Sequence, residues 1–217
     1  MITVSVVLAA LVGWVATFLL EGTLKPRPRV AGRPAGAHAV NLGMWLIVFA
    51  TMLLLTKRPF LATCVALLIW LLPVLVSNAK FKSLREPLVF TDVPFLPEAL
   101  RHPRLYVPFL GAWRGLLFVV AAAGVAAGTW YLLRVWPVSR DWPGTLPVAA
   151  VVGLPAAALL WLGTRTSGTP TLDPSEDLGR FGLATSLWLY WRAERRRTLE
   201  APPSPFALTP ASGPAAA

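Results

Sequence analysis

Five uncharged runs, Ile2–Leu20, Val40–Thr56, Phe60–Ser77, Gly115–Leu133 and Trp142–Thr164, dominate this sequence and leave it few ways to fold. Each is long enough to cross roughly 30 Å of hydrocarbon as a helix. A bilayer offers no water to satisfy backbone groups, so such runs fold as helices. With 56% hydrophobic and 14% charged residues, the rest of the chain cannot dilute them into an ordinary soluble core. The expectation is an all-α membrane protein: a bundle of about five transmembrane helices, two interfacial segments and a disordered C-terminal linker. Ile2–Leu20 has no basic residues before it, and Phe18-Leu19-Leu20-Glu21 lacks the small-x-small pattern of a cleavage site. It reads as the first span and not as a signal peptide.

The connections follow from proline, glycine and charge. Gly22–Ala39 carries Lys25, Arg27, Arg29 and Arg33 spaced by Pro26, Pro28 and Pro34, a pattern that predicts an extended, exposed loop. Lys57-Arg58-Pro59 is short enough to make the second and third spans antiparallel neighbours, and Pro73 is expected to kink the third. Gly124 and Gly128 stand in GxxxG register on an alanine-rich face, which permits close helix packing in the fourth span. Pro147 and Pro155 mark the fifth as irregular, and Trp130, Tyr131, Trp136 and Trp142 cluster as an interfacial aromatic belt does. Residues 1–164 thus form the transmembrane domain.

Residues 165–200 read as a juxtamembrane segment. Within it, Leu178–Thr198 has Leu178, Phe181, Trp188 and Trp191 at helical spacing and is too short in its apolar part to span, so it is expected to lie on the membrane surface. The remaining segment, 201–217, is a Pro/Ala-rich linker, and a linker with nothing after it is expected where a chain has been cut short. Cys64 lies inside an apolar run and reads as a small core residue, which excludes a disulfide framework.

The polar stretch Ser77–Leu110 is the longest interruption between spans. Placing its Lys80, Lys82, Arg85 and Glu86 at the bilayer centre would cost on the order of 10 kcal/mol, so it lies outside the hydrocarbon. Its Leu88, Val89, Phe90, Phe95 and Leu96 are too apolar for a free loop, and an interfacial segment satisfies both facts. Two readings of its charges stand side by side. Lysines and arginines there can anchor to anionic phospholipid, each contributing about 1 kcal/mol. Alternatively Asn78, Lys80, Lys82 and Arg85 form a site for a lipid headgroup phosphate, with Glu86 and Asp92 orienting the cations. The net charge of +10 is spread between apolar runs, which suits membrane lipids and not nucleic acid, whose binding needs a continuous basic face.

No phosphate-binding glycine loop, HExxH, GxSxG or Cys/His cluster occurs. His38 and His102 are far apart and read as interfacial polar residues. No span carries a buried acid of the kind that marks proton relays, which argues against an ion-coupled transporter. The sequence therefore supplies no catalytic residue, no metal ligand set and no cofactor site.

Asn78-Ala-Lys80-Phe-Lys82-Ser-Leu-Arg85-Glu86-Pro87-Leu88, followed by Phe90-Thr91-Asp92, resembles the loop after the third transmembrane helix of the lipoteichoic acid synthase and phosphoglycerol transferase family. Asp177-Leu178-Gly179-Arg180-Phe181-Gly182, running to Tyr190 and Glu194-Arg195, is similar to that family's link out of the membrane. The resemblance implies a sulfatase-type catalytic domain following the link, with a threonine nucleophile and a divalent metal, usually manganese. All of that would lie beyond Ala217, so no residue here inherits a catalytic role. It implies a bacterial cytoplasmic membrane, with the N-terminus inside and the C-terminus outside. The charge distribution favours the opposite orientation, because Lys57, Arg58, Arg134 and Arg140 alone would then be inside. The implied function is anchoring a phosphoglycerol- or phosphoethanolamine-transferase domain in envelope glycan or lipid modification. A non-catalytic membrane scaffold and a passive channel or carrier are the alternatives.

Overall fold

The computed structural model describes residues 2–95, 101, 112–135 and 142–200. The expectations for the rest of Ser77–Leu110, for the turn containing Trp136 and Arg140, and for the linker 201–217 lie outside the described residues. Seven α-helices run in order: α1 (Ile2–Glu21), α2 (Ala35–Thr56), α3 (Pro59–Leu84), α4 (Ala112–Val135), α5 (Trp142–Thr166), α6 (Pro174–Phe181) and α7 (Leu183–Glu200). A 3-10 turn, Phe90–Phe95, follows α3. Among the described residues there is no strand. Within α1, α2, α3 and α5, the stretches Val4–Glu21, Ala35–Thr56, Pro59–Leu84 and Leu146–Thr166 are long and apolar enough to cross a membrane, and in α4 the apolar section is the shorter Val119–Gly128.

Boundaries moved where the sequence signal was something other than hydrophobicity. Helix α2 begins at Ala35, directly after Pro34, so its first turn takes residues read as loop. Helix α3 passes through Pro73 and continues to Leu84, carrying Asn78, Lys80 and Lys82 on its last two turns. Alanine, lysine and serine keep that extension helical outside the apolar run, and Arg85 ends it in a left-handed conformation, φ 61°. Between α2 and α3, Lys57 takes the left-handed conformation (φ 55°), Arg58 is extended and Pro59 starts the next helix.

Lipid tails are as apolar as leucine side chains, so close van der Waals contact and internal hydrogen bonds hold such helices together. Helices α1, α2 and α3 meet around Trp45, which is fully buried, stands edge-on to Trp70 at 6.0 Å and donates its indole N–H to the carbonyl of Ala10 at 2.9 Å. Thr63 donates to the carbonyl of Ala9 in the same seam at 2.9 Å. Gly13 leaves the room for Trp45: a Cβ there would overlap the indole and the Thr63 methyl.

Helices α2 and α5 form the tightest pair, at Gly43 against Ala156 and Leu160, and at Gly163 against Gly36 and Val40. Among the described residues nothing lies within 4 Å of where a Cβ would stand at Gly124 or Gly128, so the close packing that their spacing permits is not made there. The outer faces carry exposed large apolar residues, among them Val4, Leu19, Leu55, Val151 and Leu154, as a lipid-facing surface does. Cys64 faces this exterior and is not a core residue.

Candidate functional site

A polar cap gathers at one end of the bundle, where α1, α3 and α5 end and α2 begins. The loop 22–34, expected to be extended and exposed, is folded onto this end. Leu24 is fully buried and Pro28 is buried beside it in sequence. Arg29 donates its backbone N–H to the carbonyl of Gly179 at 3.2 Å. The segment expected as one surface helix, Leu178–Thr198, is two helices broken at Gly182, and its apolar face is buried in the protein: Leu178, Phe181 and Leu183 are 1%, 0% and 3% exposed. Helix α6 starts one turn earlier than the apolar pattern suggested. Asp173 caps it, accepting from the amides of Ser175 (2.8 Å) and Glu176 (3.0 Å), with Pro174 in the first turn.

At the centre of this cap is an ion pair that the apolar pattern gives no hint of. Glu21, the last residue of α1, meets Arg33 at 2.7 Å, and each side chain is 1% exposed. The carboxylate also lies beside the backbone amides of Leu183 and Ala184, the first residues of α7, where a negative charge is favoured by the helix dipole. The guanidinium sits 5.9 Å from the Phe18 ring, and His38 packs against the same ring. Gly182, with φ 81°, closes over it: a Cβ there would stand 2.6 Å from Arg33 Nη1. The expectation that no span carries a buried acid is therefore corrected. Glu21 is buried, and Arg33 twelve residues on supplies the countercharge. Thr185 Oγ1 then donates to the carbonyl of Ala37 (3.0 Å), and Trp188 donates its indole N–H to Thr164 (2.9 Å), fastening α7 to α2 and α5.

A second carboxylate organises the approach to α6. Asp177 is fully buried and accepts from the Thr171 amide (3.0 Å) and hydroxyl (3.0 Å), the Leu172 amide (2.9 Å) and the Tyr190 hydroxyl (2.8 Å). Burial, and after it this hydrogen bond to Asp177, hold the Tyr190 phenol well above the usual tyrosine range, so it stays a donor. Hydrogen bonds to a charged acceptor are worth about 1.5–3 kcal/mol each. Tyr190→Phe is accordingly expected to destabilise the chain by that amount, read as a lower melting temperature in detergent; unchanged melting would mean water replaces the phenol.

The six residues singled out from the sequence divide into two groups. Asn78 is a structural stitch, accepting from the Lys25 amide (2.9 Å) and donating to the carbonyl of Thr23 (3.1 Å). Lys80 is paired with Asp92 at 2.6 Å, with Glu86 at 3.9 Å, and Asp92 also accepts from the Val89 amide at 3.0 Å. Those three hold the turn after α3. Lys82 and Arg85 are exposed at the end of α3. Beside this turn an open groove of about 230 Å³ runs between Phe90 and Thr91 on one side and Tyr190, Glu194 and Arg197 of α7 on the other. Among the described residues no group of three His, Cys, Asp or Glu side chains is placed to hold a metal.

No protein-family model matches the chain, and no solved structure matches it. It is similar to the "Capsular polysaccharide biosynthesis protein RkpI" of Rhizobium meliloti (strain 1021), with 29% identity over 134 residues. The match covers 49% of this chain and 24% of that protein, so the chain spans a minor part of its relative.

Proposed function

We propose that this chain is the membrane-anchoring part of an envelope-glycan biosynthesis protein of the lipoteichoic acid synthase and phosphoglycerol transferase kind, passing several times through a bacterial cytoplasmic membrane. The observation that carries the reading is where the resembling segments fall. Asn78, Lys80 and Asp92 from one, and Asp177, Gly182 and Tyr190 from the other, are the residues that tie the cap together. The likeness to a capsular polysaccharide biosynthesis protein supports the same area of envelope chemistry. The cap then serves as a rigid platform for a catalytic domain, and the transfer chemistry belongs to that domain. The divalent metal that the resemblance implies would be held by that domain.

Anionic phospholipid is the proposed partner, met by Lys82 and Arg85. A phosphate needs two or more cationic donors to be held against water, and within Asn78–Asp92 Lys82 and Arg85 are the exposed cations. Lys82→Ala or Arg85→Ala is expected to weaken phosphatidylglycerol binding more than binding of another anionic lipid, as read by native mass spectrometry. Equal losses of about 1 kcal/mol across anionic lipids would reduce the pair to a surface anchor.

Orientation tests the larger claim. With the N-terminus inside, α1 delivers the cap to the outer face. A periplasm-dependent reporter fused after Ala217 is expected to be active and a cytosol-dependent fluorescent one dark. The reverse pattern would follow the positive-inside tendency and remove an external catalytic domain.

A further inference from the structure

We propose that the groove between the 3-10 turn and α7 docks one neutral sugar unit of the glycan on which the protein acts, an inference that rests on the envelope-glycan reading. Three properties of the groove point there. The first is size. At about 230 Å³ it falls below the 300–1,000 Å³ of sites that engulf a drug-sized ligand. That size suits one sugar ring and not an engulfed oligosaccharide.

The second is chemistry. Phe90 and Tyr190 bring aromatic surface, which suits the C–H face of a sugar ring, while Thr91, Glu194 and Arg197 offer donors and acceptors for its hydroxyls. Glu194 and Arg197 stand one helical turn apart on α7, so the rim carries one charge of each sign. A phosphate calls for a surplus of cationic donors, and here the single cation is opposed by a carboxylate. That balance favours a neutral polyol over a lipid phosphate, whose place is at Lys82 and Arg85.

The third is preorganisation. Both walls are held from behind by carboxylates. Asp92 fixes the Val89 amide on one side, and Asp177 fixes Tyr190 and the Leu172 amide on the other. Leu172 is held in the left-handed region, φ 66°, a conformation unfavourable for a leucine, with its side chain 47% exposed at the groove's end. A groove whose walls are fixed independently loses little entropy when it is filled.

The test uses the full chain in nanodiscs and saturation-transfer NMR with neutral gluco-, galacto- and manno-trisaccharides, alongside phosphatidylglycerol as the competing ligand. At least one trisaccharide is expected to bind. Ala193→Trp, which fills the groove, and Thr91→Trp, at an exposed position on its opposite wall, are each expected to weaken that binding at least about tenfold. Arg196→Ala, which does not line the groove, is expected to leave it unchanged. Absence of binding by any trisaccharide, binding by both Trp variants as tight as the wild type's, or loss only of phosphatidylglycerol binding would overturn the inference. Envelope glycan composition of a strain lacking the gene separates the two claims. A changed envelope with groove-independent sugar binding sinks the groove alone, whereas groove-dependent binding with an unchanged envelope sinks the functional reading.

Discussion

Arg33→Met is expected to lower the stability of the chain by about 3–5 kcal/mol, because it leaves the Glu21 carboxylate buried without its countercharge. Glu21→Gln is expected to be comparably damaging, since a guanidinium 1% exposed is then unneutralised. The double variant should recover most of either loss, as two neutral side chains leave no bare charge. A double-mutant cycle of melting temperatures in detergent measures the coupling. Limited proteolysis adds a local readout, with cleavage near Gly182 rising in both single variants. If Arg33→Met melts like the wild type, the pair does not hold the cap and α7 is fastened by Thr185 and Trp188 alone.

The second large effect lies in the seam between α2 and α5. A methyl at Gly43 would stand 2.8 Å from the Ala156 carbonyl oxygen and the Leu160 nitrogen; one at Gly163 would stand 2.7 Å from the Gly36 oxygen and the Val40 nitrogen. These are backbone atoms, so relief requires a whole helix to shift. Gly43→Ala and Gly163→Ala are each expected to cost about 1–3 kcal/mol, as overpacking of a tight interior does. Gly124→Ala is the control. It meets nothing within 4 Å and replaces a poor helix former, so it should be neutral or stabilising by up to about 1 kcal/mol. Equal effects at Gly43 and Gly124 would mean the α2–α5 seam is not the tight contact of the bundle.

The long helices were legible because an uncharged run of that length has one outcome in a bilayer, whatever it packs against. Four of the five, α1, α2, α3 and α5, are long and apolar enough to cross, while α4 has only the shorter apolar section Val119–Gly128. Helix ends were less so. Hydropathy stops α3 at Ser77, while helix propensity carries it to Leu84. The start of α6 was written plainly in Asp173-Pro174-Ser175-Glu176, a cap followed by proline, yet the apolar periodicity begins only at Leu178. The Glu21–Arg33 pair had no sequence signature at all. Eleven residues intervene, two of them prolines, and only the fold of the loop brings the two together. The same holds for small-residue contacts: GxxxG spacing at Gly124 and Gly128 is a local pattern, whereas Gly43 and Gly163 matter through a partner helix far along the chain. Of the six polar residues, the half-buried Asn78, Lys80 and Asp92 are ties, while Lys82, Arg85 and Glu86 are exposed, Glu86 reaching Lys80 only at 3.9 Å.

The bond from Thr185 to the carbonyl of Ala37 spans 148 residues, and Glu21 waits for the amides of Leu183 and Ala184 across a similar stretch. During biosynthesis α1 and its loop are therefore made long before the helix that completes their surroundings. Until α7 emerges, the Glu21 carboxylate and the Arg33 guanidinium must remain hydrated at the membrane edge, since neither tolerates burial half-assembled. Formation of the earlier helices and closure of the cap are thus separate events in time, the second waiting on the synthesis of α7. A chain ended before Leu183 would lack the amides that face Glu21 and the hydroxyl that meets Ala37, and would leave the Glu21–Arg33 pair uncovered.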